Sequence, residues 1–289
     1  MSGDLHTHTV CSDGSCEVEQ NFQLAKQSGL SCIAITDHDY IESFERDRLL
    51  GERYGIRAIH GVELSTFDYA VGRRVHILCY MPADVEPIRA ICDQVTTGRI
   101  KAGLEMAELV AERYPVTVEE IKRIAGPSGC IFKQHIMFAL MQAGYDNVMY
   151  GSLWKELFDF KTGSCVRTCV QPDVWSVLPV IREAGGICVM AHPFTYKSVD
   201  LLNELLEKGL LDGIEVWSSK SDEEQEAYLL GLANEYGVIP TGGSDFHGAF
   251  ASRPSPIGCS PTPEESIEAL FALKEQRHRE FREKHADRS

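Results

Sequence analysis

Short apolar runs alternate with longer amphipathic stretches along most of the chain. The runs have the length and composition of buried strands, whereas the stretches repeat their apolar residues at helical spacing. The predicted strands are residues 31–36, 56–64, 75–81, 186–191, 213–217 and 238–241. The predicted helices are residues 18–28, 40–54, 174–184, 199–208 and 222–236. This alternation predicts parallel βα units in an α/β protein.

The alternation stops between about residues 83 and 172, where helical segments follow one another without a convincing strand. The sequence Gly126-Pro127-Ser128-Gly129 is a turn signal between two of these helices. We therefore predict a barrel domain made of residues 1–84 and 171–289, and a helical insertion of residues 85–170 that covers the active-site mouth. Beyond Leu270 the charged sequence predicts a solvated helix.

The composition is that of an ordinary globular protein, with 289 residues of which 44% are hydrophobic. No apolar run approaches the roughly 18 residues of a membrane helix, and the first residues show no signal-peptide pattern. The ten cysteines are expected to be reduced thiols, because nothing in the chain indicates secretion. We therefore expect a cytoplasmic protein without a membrane partner.

The net charge of −15 argues against a stable nucleic-acid partner, because binding a polyanion requires a broad surface of Lys and Arg. A small phosphorylated substrate is compatible with this charge, and so are divalent cations. Short RNA stays open as a substrate. The sequence does not specify the oligomeric state.

Side chains that bind metal ions recur where the predicted strands end. They are His6, His8, Asp37, His38, Asp39, Glu63, His76, His192, Asp245 and His247. Parallel α/β folds build their sites at this end of the strands. Side chains two residues apart in an extended segment point to the same side, so His6 and His8 can share an ion. Imidazole with carboxylate favours Zn²⁺, Mn²⁺ or Fe²⁺, whereas Mg²⁺ and Ca²⁺ prefer oxygen ligands.

Five segments carry these side chains in a characteristic order. They read His6-Thr7-His8-Thr9-Val10-Cys11-Ser12-Asp13-Gly14, Ile35-Thr36-Asp37-His38-Asp39, Gly61-Val62-Glu63-Leu64-Ser65, Ala191-His192-Pro193 and Gly243-Ser244-Asp245-Phe246-His247-Gly248. Together they resemble the polymerase and histidinol phosphatase (PHP) family of metal-dependent phosphoesterases. The resemblance spans residues 4 to about 250, and such an ordered set is far more specific than any single motif.

The resemblance implies a distorted (β/α)7 barrel with a helical insertion, holding two or three Mn, Zn or Fe ions. The implied ligand sets are His6, His8, Glu63 and Asp245 for one ion, Glu63, His76 and His192 for a second, and Asp13, His38 and His247 for a third. Glu63 would bridge two ions. The assignment of Asp13 and His76 as metal ligands rests mainly on the resemblance. An Asp before a Gly, as at Asp13-Gly14, is typical of turns, and a His in an apolar strand, as at His76, is typical of a core.

The implied reaction is hydrolysis of a phosphate ester by metal-bound hydroxide, since clustered ions lower the pKa of water from 15.7 towards roughly 7. The leaving alkoxide then requires a proton or a metal ion. His192, Asp37 and Asp245 are the candidate catalytic residues for this step, although ligation or orientation of ligands competes with that role.

Within the family, the chain resembles the branch with a helical insertion, which acts on nucleotides such as nucleoside 3′,5′-bisphosphates or trims short RNA. Members of this branch usually carry Arg-Pro-His in the insertion, where this chain has Lys133-Gln134-His135. An ammonium thus replaces a planar guanidinium, which changes the geometry of phosphate binding. The candidate substrate contacts are Lys133, His135, Lys220 and Arg253.

Three other functions stay open at this point. A cyclic phosphodiesterase would act on a cyclic phosphate of 5-phosphoribose. A histidinol-phosphate phosphatase would account for the metal motifs but not for the insertion. A non-catalytic metal-binding module would resemble the PHP domains of polymerases that have lost ligands, whereas this chain keeps every ligand position.

Overall fold

The computed structural model describes residues 2–41 and 44–286, in which one sheet curls into a nearly closed barrel. The strands are β1 (Ser2–Asp4), β2 (Cys32–Ile35), β3 (Arg57–Asp68), β4 (Arg73–Tyr80), β5 (Ile187–Met190), β6 (Gly213–Ser218), β7 (Ile239–Gly243) and β8 (Thr262–Pro263). Their order across the sheet is β7-β6-β5-β4-β3-β2-β1-β8. The Leu5 N–H donates to the Gly242 carbonyl at 3.1 Å, which brings the chain after β1 against β7. The distorted α/β barrel is thus confirmed, with the two-residue β8 added to the seven expected strands.

Helices surround this sheet and follow the predicted amphipathic stretches closely. They are α1 (Val18–Gln27), α2 (Phe44–Tyr54), α3 (Glu86–Ala111), α4 (Val118–Ala125), α5 (Lys133–Gln142), α6 (Ser152–Phe158), α7 (Val174–Glu183), α8 (Val199–Glu207), α9 (Glu223–Tyr236) and α10 (Glu264–Ala286). The prediction for α2 began at residue 40, but its residues 42–43 lie outside the described chain and the helix begins at Phe44. Glycine ends α9 in a left-handed conformation, with φ 64° at Gly237.

The prediction of purely parallel βα units is wrong at β4. This strand pairs antiparallel with both β3 and β5, so β3 and β4 form a hairpin in which Ser65 lies opposite His76. The connection of four residues between them is far too short for the helical crossover that parallel strands need. His76 therefore lies near the start of its strand rather than at its C-terminal end, yet the reversed direction brings it to the barrel end that holds Glu63.

Between β4 and β5 the described chain is mainly helical, as expected, and α3 to α6 supply most of a separate apolar cluster that Phe250 also joins. Its fully buried members include Val110, Ile121, Leu140 and Phe158. A 3-10 turn at Gly126–Ser128 separates α4 from α5, which confirms the predicted turn. The structure does not test the division into a barrel domain and an insertion, which stays a prediction.

The long helix α10 packs against the barrel through Ile267 and Leu270, which join Leu5, Tyr80 and Val189 in one buried cluster. This helix begins seven residues before the charged segment that suggested it. In the described part of the chain, no helix combines the length and apolar character needed to cross a membrane.

Candidate metal centre

Two extended segments lie side by side where β1 and β7 end. The Asp245 N–H donates to the His6 carbonyl and the His8 N–H to the Phe246 carbonyl, each at 2.9 Å. This approach needs Gly243, because a Cβ there would lie 2.7 Å from the His6 backbone nitrogen. As a result, His8 Nε2 lies 3.2 Å from Asp245 Oδ1, and the rings of His8 and His247 stack at 4.2 Å.

Glu63 on β3 is the centre on which the other candidate ligands converge, and only 1% of it is exposed. Its Oε2 atom lies 3.1 Å from Nε2 of both His6 and His8. His38 Nδ1 lies 3.3 Å from the same oxygen. The Oε1 atom lies 2.7 Å from His76 Nδ1 and 2.9 Å from His192 Nε2. One carboxylate therefore faces five imidazoles, as a bridging ligand would.

All nine predicted metal ligands meet at this end of the barrel. Groups of ligand atoms close enough to share an ion are His6, His8, Glu63 and Asp245; His8, Asp13, His38 and His247; His38, Glu63 and His76; and His6, His192 and Glu215. The first group matches a predicted set in full, and the second adds His8 to another. The third group contains His38 beside Glu63 and His76, whereas the predicted set had His192 in that place. The assignment of each residue to an ion stays a prediction.

Unpartnered buried atoms at this point show that the residues fit metal ions. Among the described residues, Nε2 of His6 and His8, Nδ1 of His38 and Oε2 of Glu63 are buried and find no hydrogen-bond partner. Each such atom ordinarily costs about 1–3 kcal/mol, and native proteins contain few of them. A divalent cation among these atoms would satisfy them together, and imidazole with carboxylate is the donor set that first-row ions prefer.

The ionisation of these groups depends on burial and on the opposite charges around each one. Burial lowers the pKa of His38 and of His76, which keeps both imidazoles neutral. Burial raises the pKa of Glu63, but the surrounding histidine side chains together outweigh it and hold the pKa well below its usual range. Burial lowers the pKa of His8, yet Asp245 and Glu63 overcome this and raise it to about 10. A proton and a metal ion therefore compete for this site.

Glu215 on β6 belongs to the centre although the sequence did not indicate it. Its carboxylate accepts from His6 Nδ1 and from the His192 N–H, each at 2.7 Å. His192 needs this support, because a φ of 26° is unfavourable for a residue with a Cβ. The available signal was a lone Glu within the apolar strand sequence Gly213–Ser218.

Two predicted residues, Asp37 and His135, line neither of the two cavities that the described residues form beside the candidate ligands. Asp37 is buried and accepts hydrogen bonds from the Thr9 N–H and hydroxyl and from the Ser12 hydroxyl, at 2.6–2.7 Å. Asp37 thus holds the loop between His8 and Asp13 and joins none of the groups of candidate ligands. His135 is 1% exposed, and its Nδ1 accepts from the Phe132 N–H at 3.1 Å at the start of α5. It therefore does not line the cavity.

The remaining predicted contacts line two adjoining cavities. Lys220 pairs with Asp245 in a cavity of about 250 Å³ over the metal ligands, and Arg253 lies at the rim of the same cavity. Burial lowers the pKa of Lys220, but Asp245 outweighs this and raises it, so the lysine stays cationic. Lys133 lines a second cavity of about 450 Å³. Arg74, which the sequence analysis missed, lines both.

An α/β barrel that gathers imidazoles and carboxylates around unpartnered buried atoms, as the described residues do here, is typical of metal-dependent hydrolases. The match to the PHP domain model extends over residues 4–164, more than half of the chain. This chain belongs to the PHP domain family and is a metal-dependent phosphoesterase, as the sequence motifs predicted.

Relatives of known activity cover nearly the whole chain. It is 37% identical to phosphoribosyl 1,2-cyclic phosphate 1,2-diphosphodiesterase of Eggerthella lenta, over 88% of this chain and 97% of the relative. It is 29% identical to 3′,5′-nucleoside bisphosphate phosphatase of Chromobacterium violaceum, over 84% and 86% of the two chains. The crystal structure of a metal-dependent phosphoesterase candidate from Bifidobacterium adolescentis is similar, with a TM-score of 0.84, 26% identity, and coverage of 94% and 96%.

Proposed function

We propose that this enzyme hydrolyses a phosphate ester of a small phosphorylated ribose or nucleotide, using two or three Mn, Zn or Fe ions. The observation that carries the proposal is the convergence of five imidazoles on Glu63, whose Oε2 has no hydrogen-bond partner in the part of the chain that the structure describes. The nine predicted ligands would hold the ions. When bound, divalent ions lower the pKa of water and offset the charge of phosphoryl oxygens.

The chain's own residues would orient the ester and the ligands. Lys220 stays cationic beside Asp245 and faces the smaller cavity, so its ammonium can bind an anionic phosphoryl oxygen. Asp37 would act at a distance, by fixing the loop that carries His8 and Asp13. Of the predicted catalytic residues, His192 and Asp245 line the cavity. Burial raises the pKa of Asp245, but Lys220 outweighs this and holds the pKa well below its usual range, so this carboxylate carries no proton to deliver. This leaves His192 as the predicted residue that could deliver a proton to the leaving oxygen.

The first substrate to test is phosphoribosyl 1,2-cyclic phosphate, the compound named for the 37% identical relative. A nucleoside 3′,5′-bisphosphate is the second candidate. The observation that favours a nucleotide is the aromatic lining of the larger cavity by Phe132, Trp154 and Phe160, because nucleobases stack on aromatic rings.

Steady-state kinetics should compare both compounds with histidinol phosphate and short RNA, alongside measurement of the metal content of the purified protein. We expect at least two ions per chain. We also expect a kcat/KM preference of about 100-fold or more for one of the first two compounds. The variants His8→Ala and Asp245→Asn should lose this activity, whereas the surface variant Lys208→Ala should keep it. A chain that binds fewer than two ions and turns over none of the esters would be a non-catalytic module.

A further inference from the structure

The start of α5 contacts one group of candidate ligands. This group, the Asp13 group, consists of His8, Asp13, His38 and His247. The ring of Phe132, the residue before the helix, stacks on that of His38 at an angle of 24°, with 6.5 Å between centroids. Gln134, the second residue of the helix, donates from Nε2 to Asp13 Oδ2 at 2.9 Å. The helical chain between β4 and β5 therefore contacts two of the four ligands.

The two carboxylate oxygens of the buried Asp13 have different surroundings. Oδ1 faces the imidazoles, 3.3 Å from His247 Nε2 and 3.9 Å from His8 Nδ1. Oδ2 accepts from Gln134, and among residues 2–41 and 44–286 no other side chain donates a hydrogen bond to it. The carboxylate thus keeps one oxygen for a metal ion, while Gln134 holds the other.

The donor that holds Asp13 is uncharged. Asp245, in contrast, pairs with the ammonium of Lys220. A cation beside a ligand carboxylate offsets part of the negative charge that attracts a metal ion, whereas an amide donates a hydrogen bond and adds no charge. Gln134 therefore orients Asp13 and leaves its full charge to an ion.

The first turn of α5 keeps Gln134 in this position. His135 Nδ1 accepts from the Phe132 N–H at 3.1 Å. The buried His135 ring lies edge-on to the rings of Phe132 and Phe250, each with 5.7 Å between centroids. A side chain on a helix is directed more precisely than one on a loop. The helix therefore fixes the direction of the Gln134 amide and, through it, the orientation of Asp13.

We infer that Gln134 is a positioning residue that orients Asp13 towards the ion of the Asp13 group. This inference rests on the metal binding in the proposed function. Hydrogen bonds to a ligating carboxylate fix its orientation, and the loss of such a partner typically lowers metal affinity about 10- to 100-fold. The helical chain between β4 and β5 therefore sets the affinity of one ion, whereas ions held without Asp13 do not depend on Gln134.

Titration of the chelator-treated protein with Co²⁺ tests this inference without a substrate. Co²⁺ binds sites of imidazole and carboxylate, and its visible absorption depends on the ligand geometry. Gln134→Met keeps the length of the side chain but removes the donor. We expect one binding step to weaken about 10- to 100-fold, with a shifted absorption band, and the other steps to change less than about threefold. Gln134→Ala, which adds no larger apolar group, should give the same selective loss.

Two further variants assign the weakened step. Asp13→Asn should weaken the same step, and in that background Gln134→Met should have no additional effect, because the two side chains act as one unit. Gln142→Met makes the same substitution at the exposed last residue of α5 and should change no step.

An unchanged Co²⁺ affinity in Gln134→Met, an equal loss at every step, or additive losses in the double variant would overturn the inference. The titration also separates this failure from failure of the proposed function. If no ester is hydrolysed but the selective loss appears, the role of Gln134 stands and the proposed activity falls. If esters are hydrolysed and Gln134→Met binds Co²⁺ as the parent protein does, the activity stands and the role of Gln134 falls.

Discussion

Glu215 forms hydrogen bonds with two candidate metal ligands, His6 and His192, and thereby sets the orientation of both. By accepting from His6 Nδ1 at 2.7 Å, it directs Nε2 of the same ring towards Glu63. By accepting from the His192 N–H, it stabilises a strained backbone. Carboxylates in this position fix the tautomer of a metal-binding histidine and increase its basicity.

Replacement of this carboxylate is expected to weaken metal binding. Glu215→Gln keeps the shape of the side chain but loses the negative charge, so the metal Kd should rise about 10- to 100-fold. Titration against a chromogenic chelator measures the change. Glu207→Gln at the end of α8 removes one charge from the surface and serves as the control. An unchanged Kd in Glu215→Gln would show that the hydrogen bonds do not act on the ions.

Lys133 gives the enzyme a pH dependence that can be assigned to one side chain. Burial lowers the pKa of Lys133 from 10.5 to about 8, so the ammonium is lost above pH 8. Because Lys133 is a predicted substrate contact, kcat/KM for a substrate with two phosphates should decline there. Lys133→Arg should hold its kcat/KM to higher pH, since a guanidinium stays charged. Adenosine 3′-phosphate, which lacks the second phosphate, should give the two proteins similar profiles. Identical profiles with adenosine 3′,5′-bisphosphate would contradict this assignment.

The lowered pKa of Lys133 also determines how the free energy of unfolding changes with pH. The folded-state pKa lies below the unfolded-state value, so the unfolded chain binds more protons between about pH 8 and pH 10.5. The contribution of Lys133 to the free energy of unfolding therefore increases as the pH rises through that window.

At the scale of elements, helix α3 is joined to the loop after β2 by an ion pair whose carboxylate is buried and whose arginine is half-buried. Arg99 on α3 pairs with Asp39 and also donates to the Ser65 hydroxyl at 3.0 Å. Asp39 accepts from the Ser65 N–H at 2.9 Å and has a φ of 51°. The neighbouring residue is His38, so this contact connects the helices after β4 to a candidate ligand.

Arg99→Met leaves the Asp39 carboxylate buried without its cation, which should cost about 3–5 kcal/mol in the free energy of unfolding. Denaturant unfolding measures this loss. The double variant Arg99→Met with Asp39→Asn should regain part of it, because the unpaired charge is gone. Arg113→Met removes an exposed arginine and should cost less than about 1 kcal/mol. If Arg99→Met costs no more than this control, the ion pair does not stabilise the junction.

At the scale of the whole molecule, the metal centre joins distant parts of the chain and should therefore contribute to global stability. Ions that bind only the folded state at about 1,000 times their Kd stabilise it by about 4 kcal/mol. Removing them with a chelator should lower the Tm by roughly 10 °C in a protein of this size. In Glu63→Gln, calorimetry should show a much smaller effect of the chelator. An equal Tm with and without chelator in the parent protein would refute the coupling.

Most of the architecture could be predicted because it is encoded locally. Periodicity indicates strands and helices within a few residues, and the ligands His6, His8, Asp245 and His247 lie in short motifs that share a strand end. The direction of β4 could not be predicted, because the apolar pattern of a strand is the same in either orientation. Glu215 and Arg74 were missed since a lone carboxylate in a strand, or an arginine beside Arg73, shows its role only through residues distant in sequence.

The candidate metal centre has two halves that differ in sequence separation. The hairpin of β3 and β4 brings together residues close in sequence, whereas the other half joins residues that are far apart. Glu63 and His76 are 13 residues apart, whereas 209 residues separate His6 from Glu215. Closing the longer loop costs roughly 2.5 kcal/mol more in chain entropy. The hairpin half can therefore form early in folding. The half that joins the segment after β1 to β6 and β7 forms only when the barrel closes, which makes full metal loading a late event in folding.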